Sequence, residues 1–395
     1  MKDLRYKRTS CKRIVLLLFS FYFLPCVLSA QELPLSETAT ASVITCGPGN
    51  DFYTTFGHSA IRITDTAHGI DMVYNYGTFD FDTPHFYWRF AQGHLDYCLS
   101  RTPMEYFMYT YDYERRAVWE QPLNLTQQEV NNLFIMLEWN YLPENRYYRY
   151  DLFQDNCATR VRDMVNAALG KKTIEFDDWE DHSYRYWLHD ATSGGCLEWW
   201  TIGVDMLLGL PADHVCDKSE VMFYPMAMMW LYNNAMIDAD EPLVFPSKTL
   251  LGDTREPLHR SFPPLVVFGL LFALVAVLSI ATHHSTFIAV IDRVLFILAG
   301  IVGLFLLFMW FGTSHWCTKW NLNLLWASPL LILIAIRYKK SPLWGLWLQE
   351  VCFLGAAVWV VACGLSPALL PLILTLALRV ACLIPRKPQQ RQQRR

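Results

Sequence analysis

Two short segments hold the residue types best suited to covalent chemistry. The first, Asp155-Asn156-Cys157-Ala158-Thr159-Arg160, sets a cysteine where a helix begins. Asp155 or Asn156 can cap that helix, Val161, Val165, Ala168 and Leu169 share one face, and Gly170 ends it, so the pattern predicts a helix within 151–170. A cysteine in the first turn sits among free N–H groups at the positive end of the helix dipole, which stabilises a thiolate. The second segment, Phe56-Gly57-His58-Ser59-Ala60-Ile61-Arg62, places a histidine at the start of a strand. A neutral imidazole on a neighbouring strand can take the thiol proton, giving a thiolate–imidazolium nucleophile. The N–H of Cys157 and a second donor nearby would form an oxyanion hole.

Such an imidazole needs a third group to hold its ring. The alternation from His58 to Thr64, the turn Asp65–Gly69 and the run Asp71 to Tyr76 predict a β-hairpin with His58 at its entrance. Residues near 74–76 then face His58, which makes Asn75 the first candidate for the orienting group and Tyr76 the second. Each residue alone has a plainer reading. A cysteine near a helix start is usually a small buried side chain, and a strand histidine is usually structural. The two local structures together are those that cysteine acyl-transfer sites use.

Other elements must hold this hairpin and helix in place. Ser42–Cys46 reads as a strand ending at the turn Gly47-Pro48-Gly49, and Arg115–Gln121 as another strand. Thr126-Gln127-Gln128-Glu129 is a capping box opening a helix to about Tyr141. Glu198–Leu210, stopped by Pro211, and the Met-rich Val221–Met236 read as helices.

The 395 residues are 53% hydrophobic with a net charge of −4, but the charge is uneven. Between Gln31 and Arg260 there are 34 acidic and 16 basic residues, which excludes nucleic acid as a partner because phosphates need Lys/Arg stripes. Lys2, Arg5, Lys7, Arg8, Lys12 and Arg13, then the apolar Ile14–Leu24, then small residues up to Ala30, read as a signal peptide, with an uncleaved anchor as the other reading. From Pro263 onward five apolar runs follow, at about 264–281, 294–311, 323–337, 344–363 and 366–384. Most reach the roughly 17–25 residues of a spanning helix. Arg337, Lys339 and Lys340 lie between the third and fourth runs, and Arg386, Lys387, Arg391, Arg394 and Arg395 follow the fifth. Five crossings put both clusters inside and residues 31–262 outside. The expected organisation is a signal peptide (1–30), an extracytoplasmic domain (31–262), a transmembrane bundle (263–385) and a basic cytoplasmic tail (386–395). Cys46, Cys98, Cys157, Cys196, Cys216 and Cys317 then lie on the oxidising side, where Cys196 and Cys216 could staple a loop. No CxxC or His-x3-His pair offers a zinc site, so neither a metal nor another cofactor is expected.

The stretches Cys46-Gly47-Pro48-Gly49, Phe56 to Arg62, Tyr74-Asn75-Tyr76-Gly77-Thr78-Phe79-Asp80 and Asp155 to Arg160 together resemble the periplasmic domain of the Lnb family, the lipoprotein N-acyltransferases of Bacteroides-type bacteria. The resemblance extends through the membrane region, including the Asn-Leu-Asn-Leu-Leu-Trp run at 321–326. The His-before-Cys order is also similar to circularly permuted papain-like folds, among them the lecithin:retinol acyltransferase group. The resemblance implies an α+β permuted papain-like cysteine domain followed by an all-α bundle of about five transmembrane helices. It implies a bacterial inner-membrane protein with the domain in the periplasm and the C-terminus in the cytoplasm. The implied partners are a phospholipid acyl donor and a diacylated lipoprotein acceptor, with His58, Cys157 and Asn75 catalytic. Lecithin:retinol-type enzymes orient the imidazole with a second histidine; here His68 falls in the predicted turn and is not expected to serve.

Several residues near this chemistry carry two readings. Arg62 and Arg160 flank the pair and could hold a phosphate beside Tyr76; ion pairing in an acidic domain is the plainer role. Gly312–Asn323 joins the second and third spans on the outer side. It could floor the site, with His315 and Lys319 near a lipid phosphate, or be an interfacial belt of Trp316 and Trp320 with a snorkelling lysine. Met222, Met226, Met228, Met229 and Met236 could face acyl chains or fill core. Two other functions fit the same sequence: a membrane-tethered cysteine peptidase or amidase acting on cell-wall peptides, and a non-catalytic membrane interaction protein.

Overall fold

The computed structural model describes residues 35–177, 179–192, 197–256, 262–281 and 286–385. The expected signal peptide, Cys196 and the basic tail lie outside the described residues.

The strands are β1 (Thr40–Cys46), β2 (His58–Asp65), β3 (Ile70–Thr78), β4 (Asp96–Pro103), β5 (Val118–Pro122), β6 (Tyr147–Arg149), β7 (Ile174–Phe176), β8 (Ala235–Ile237), β9 (Glu241–Pro242) and β10 (Lys248–Leu251). Seven form one sheet in the order β10-β5-β1-β2-β3-β4-β6, antiparallel throughout, and β7-β8-β9 form a small second sheet. β1 is an interior strand, between β5 and β2. Six of its seven residues are buried, which suits a strand covered on both faces rather than one with a wet side.

Helices of this domain are α1 (Phe86–Ala91), α2 (Met104–Tyr113), α3 (Gln127–Tyr141), α4 (Cys157–Leu169), α5 (Tyr184–Thr192), α6 (Glu198–Leu207) and α7 (Pro225–Asn233). Met104, Phe107 and Tyr111 of α2 close one apolar cluster with Ile44, Cys46, Ala60 and Val73. α4 lies against β2 and β3 through its buried stripe of Cys157, Ala158, Val161, Val165, Ala168 and Leu169. The helix is shorter than the sequence pattern predicts. Residues 151–155 form a turn closed by reciprocal backbone hydrogen bonds between Asp151 and Asp155. Asp155 is occupied by Arg160, which leaves Asn156 as the cap. The expected helix over 221–236 breaks at Pro225, and Met236 joins β8. Met222 and Met228 are buried, and Met226, Met229 and Met236 are half-buried, so this run fills core.

The C-terminal region is helical: α8 (Pro264–Ala281), α9 (Thr286–Phe311), α10 (Leu330–Arg337), α11 (Leu343–Ala362) and α12 (Leu369–Ala381). Among the described residues, four segments are long and apolar enough to cross a membrane: 264–281, 286–311, 316–340 and 343–362. The third is composite, with single 3-10 turns at Trp316–Thr318 and Leu322–Leu325 before α10. The fifth expected run yields the shorter apolar helix α12, of 13 residues. α9 begins eight residues before the apolar run at 294, taking in Asp292. That charge is accommodated because it is fully paired. Arg379 donates to both its oxygens at 2.6 and 3.0 Å, and the Tyr338 hydroxyl donates at 2.6 Å.

The domain is welded to one end of the bundle by polar contacts. The side chains of Asn321 and Asn323 donate to the C-terminal carbonyls of α6, at Asp205, Met206 and Leu207. Those are acceptors that a helix end leaves without internal partners. Buried Asp205 accepts from Arg185 (3.2 Å), His189 (2.7 Å) and the N–H of Ser366 between α11 and α12 (2.7 Å). Gly209 donates to the carbonyl of Cys317 and lies so close to the Lys319 carbonyl that a Cβ would not fit.

Candidate active site

Cys157 is the first residue of α4, and the chain before it is fixed by one side chain. Asn156 Oδ1 accepts the N–H groups of Ala158 and Thr159, both at 2.9 Å. Its amide nitrogen donates to the carbonyls of Leu152 (2.7 Å) and Phe223 (2.8 Å). Its own N–H goes to Thr159 Oγ1 (2.8 Å), which completes a capping box.

His58 opens β2 opposite Cys46 of β1, and its ring bridges two partners. Nε2 is hydrogen-bonded to Asn75 Oδ1, so Nε2 carries the proton and donates. Cys157 acts on the same ring, and with Nε2 engaged by Asn75 the nitrogen left for it is Nδ1. Burial alone would disfavour a thiolate at Cys157, which is 6% exposed. The His58 charge and hydrogen bond, with the N–H groups of Ser59 and Ala158, outweigh burial and hold the thiol below its ordinary pKa. Burial likewise opposes an imidazolium at His58, but the Cys157 charge and hydrogen bond and the Asn75 acceptor raise its pKa overall. Each charge thus lowers the cost of the other, which moves the pair toward the thiolate–imidazolium form. Cys46 behaves oppositely. Burial, only partly offset by Tyr111 and Arg116, pushes its pKa up to about 12, which keeps it a neutral thiol.

Two further residues shape the site. Gly77, at φ +88°, sits where the β3–β4 register shifts. A Cβ there would lie 3.6 Å from Cys157 Cβ, 3.9 Å from His58 Cε1 and 4.0 Å from the Tyr148 hydroxyl. A side chain there would sit in van der Waals contact with both the nucleophile and its base, and the glycine keeps that position free. The Tyr148 hydroxyl is buried with no hydrogen-bond partner among the described residues. Its ring is held by the Arg160 guanidinium at 4.1 Å and by the edge of Tyr76 at 6.2 Å.

Of the residues singled out by sequence, the fold brings His58, Asn75 and Cys157 together. Tyr76 turns away, its hydroxyl donating to Asn140 at 2.6 Å. Arg62 is committed to Asp71 (2.7 and 2.9 Å) and Glu120 (2.9 Å), and Arg160 to Asp155, so neither is a free phosphate ligand. His68 pairs with Asp65 in the hairpin turn. His315 bonds the carbonyl of Phe90, and Lys319 is exposed. Trp316 packs edge-on to Phe153, four residues before Cys157, and so supports α4 from below. Sequence reasoning missed Gly77 and Tyr148. A glycine inside a strand pattern signals a bulge or close approach. Nothing marks Tyr148, because β6 has only three residues.

Fold and site together define a membrane protein whose globular domain carries a part-buried cysteine–histidine–asparagine cluster at a helix N-terminus. The chain belongs to the Lnb family: residues 34–188 match the Lnb N-terminal periplasmic domain and residues 256–389 the Lnb transmembrane domain. No curated protein and no solved structure matches it.

Proposed function

We propose that this protein is a lipoprotein N-acyltransferase working through a Cys157 thioester, with its domain in the periplasm and its C-terminus in the cytoplasm. The observation that carries this reading is the ring of His58, held by Asn75 at Nε2 and turned to Cys157 with the other nitrogen. A Cys-His-Asn set is that of papain-like enzymes. Here the chain order His58, Asn75, Cys157 is a circular permutation of it, which supports a permuted papain-like domain.

In the first half-reaction the Cys157 thiolate attacks the ester carbonyl of a phospholipid. The oxyanion forms beside the Cys157 N–H, which as the first of a helix has no intrahelical partner, and beside the unpartnered Tyr148 hydroxyl. Collapse breaks the C–O bond, and the His58 imidazolium protonates the departing lysophospholipid oxygen. In the second half-reaction the free α-amine of a diacylated lipoprotein attacks the thioester. His58 takes the amine proton, the C–S bond breaks, and Cys157 leaves as thiolate while the product leaves as an amide. Both substrates reside in the membrane, which gives a hydrolase-like domain a reason to sit on apolar helices.

Mass spectrometry of lipoprotein N-termini in cells with and without the gene tests this reading. Loss of the third acyl chain on deletion is expected; unchanged acylation overturns it. The intact mass of the protein after incubation with phospholipid should rise by one acyl group, and Cys157→Ser should abolish that rise. A peptidase or amidase would leave lipoprotein N-termini unchanged and cut cell-wall peptides instead.

A further inference from the structure

The connection from β3 to β4 is unusually aromatic, and it leads in two directions. Outward, α1 exposes Tyr87, Trp88 and Phe90 at 80%, 55% and 50%, beside exposed Phe81, in a domain otherwise rich in acidic residues. Contiguous apolar surface of this kind marks contact with a partner or a membrane. The helix is not adrift in solvent. Trp88 stacks on Phe308, in the last turn of the membrane-crossing α9, with ring centroids 5.6 Å apart. Ser314, just past α9, donates its N–H to the Gln92 carbonyl at 2.9 Å and its hydroxyl to those of Gln92 and Gly93 at 3.0 Å. Gly93 has φ +70°, and a Cβ there would meet Ser314 Oγ at 2.6 Å, so a glycine is required for this approach. α1 is therefore fastened at the end of a span, where aromatic side chains meet lipid headgroups.

Inward, the same segment reaches the nucleophile. Phe86 lies 5.8 Å from Phe79, Phe79 lies 5.2 Å from Tyr97, and Tyr97 stacks on Tyr150 at 4.3 Å. Tyr148 joins this cluster and carries it to the space over Gly77 beside Cys157. Aromatic packing thus runs from α1 through to Tyr148, whose hydroxyl lies beside Gly77 and Cys157.

We propose that the 79–97 segment is a lipid-binding site: α1 dips into the membrane surface, and the aromatic wall behind it receives the acyl chain of a bilayer phospholipid and leads its ester to Cys157. The acyl-delivery half rests on the acyltransferase reading; the lipid-docking half does not.

The test uses the full-length protein in vesicles of phosphatidylethanolamine and phosphatidylglycerol. A benzophenone amino acid replacing Tyr87 should, on irradiation, give a phospholipid adduct by mass; no lipid adduct overturns the docking. The triple variant Tyr87→Ser, Trp88→Ser, Phe90→Ser should acylate Cys157 from vesicle phospholipid about tenfold or more slowly than wild type, because the ester is no longer positioned. It should keep wild-type rates with iodoacetamide and with p-nitrophenyl butyrate, which need no bilayer. A wild-type rate from vesicles, or an equal loss with all three reagents, overturns delivery by this segment. If the wild-type protein takes no acyl group from vesicles while the lipid adduct forms, the acyltransferase reading fails and the docking site stands.

Discussion

His58 donates from Nε2 to Asn75, a residue on the adjoining strand whose only evident task at that ring is to choose its tautomer. With Nε2–H so engaged, Nδ1 is left as the base toward Cys157. Asn75→Ala should slow thioester formation about 100-fold, within the range of general-base contributions, while the protein stays folded. Asn75→Asp, which keeps an acceptor, should recover part of the rate. Single-turnover acylation of Cys157 checks both; a wild-type rate for Asn75→Ala would remove Asn75 from the site.

The ion-pair form predicts a particular pH dependence. The Cys157 pKa is lowered, so its thiolate persists as pH falls below the ordinary thiol range. The His58 pKa is raised, so the imidazolium persists as pH rises above the ordinary histidine value. The midpoint for iodoacetamide alkylation of Cys157, which belongs to the pair, should therefore lie below the free-thiol range. His58→Ala should move the alkylation midpoint up toward or beyond the free-thiol value of about 8.5. An unshifted midpoint in that variant would mean that the histidine does not set the thiol's charge.

Tyr148 separates stability from chemistry. Its hydroxyl is buried with no partner among the described residues, so Tyr148→Phe removes an uncompensated polar group and should leave the melting temperature equal or higher. If the hydroxyl donates to the oxyanion, the same variant should lose about 100-fold in acylation rate. An unchanged rate assigns the second donor elsewhere.

Much of this site was legible because its parts are local. A cap, a first-turn cysteine and a hairpin histidine each announce themselves within a few residues. The fold also bears out the capping box at Thr126 and the hairpin turn after Asp65. What sequence could not supply was set by distant pairing. Arg62 carries both an ion-pair and a phosphate reading until Glu120, on β5, is found beside it. The Asn-Leu-Asn run at 321–323 gives no hint that it caps α6, more than a hundred residues away. The pattern extends the helix back to Asp151, but 151–155 close on themselves through backbone hydrogen bonds between Asp151 and Asp155.

Gly77 tests how tightly the space over the nucleophile is drawn. Gly77→Ala places a methyl 3.6 Å from Cys157 Cβ and forces a β-carbon onto a residue at φ +88°. The strain should cost about 1–3 kcal/mol, readable as a lower melting temperature. Iodoacetamide, a small reagent, should still reach the thiol, whereas acylation by a bulky ester should fall far more. Equal effects on both reagents would show that the glycine serves the backbone alone.

The buried pair in the bundle makes the last prediction. Asp292 and Arg379 are both almost fully buried, and Ser279 completes the set by accepting from Arg379 at 2.6 Å. The network therefore ties α8, α9 and α12 to the end of α10 through Tyr338. Every member has a partner, so the set is self-consistent, but half of it is not. Arg379→Leu strands a carboxylate in an apolar bundle and should destabilise by about 3–5 kcal/mol. Asp292→Leu should do the same from the other side. The double variant leaves no buried charge and should be markedly more stable than either single one, since buried pairs often roughly break even against apolar replacements. Thermal unfolding in one fixed detergent reads this directly. If the double variant is no more stable than the singles, the pair holds the helices by a geometry that apolar packing cannot replace.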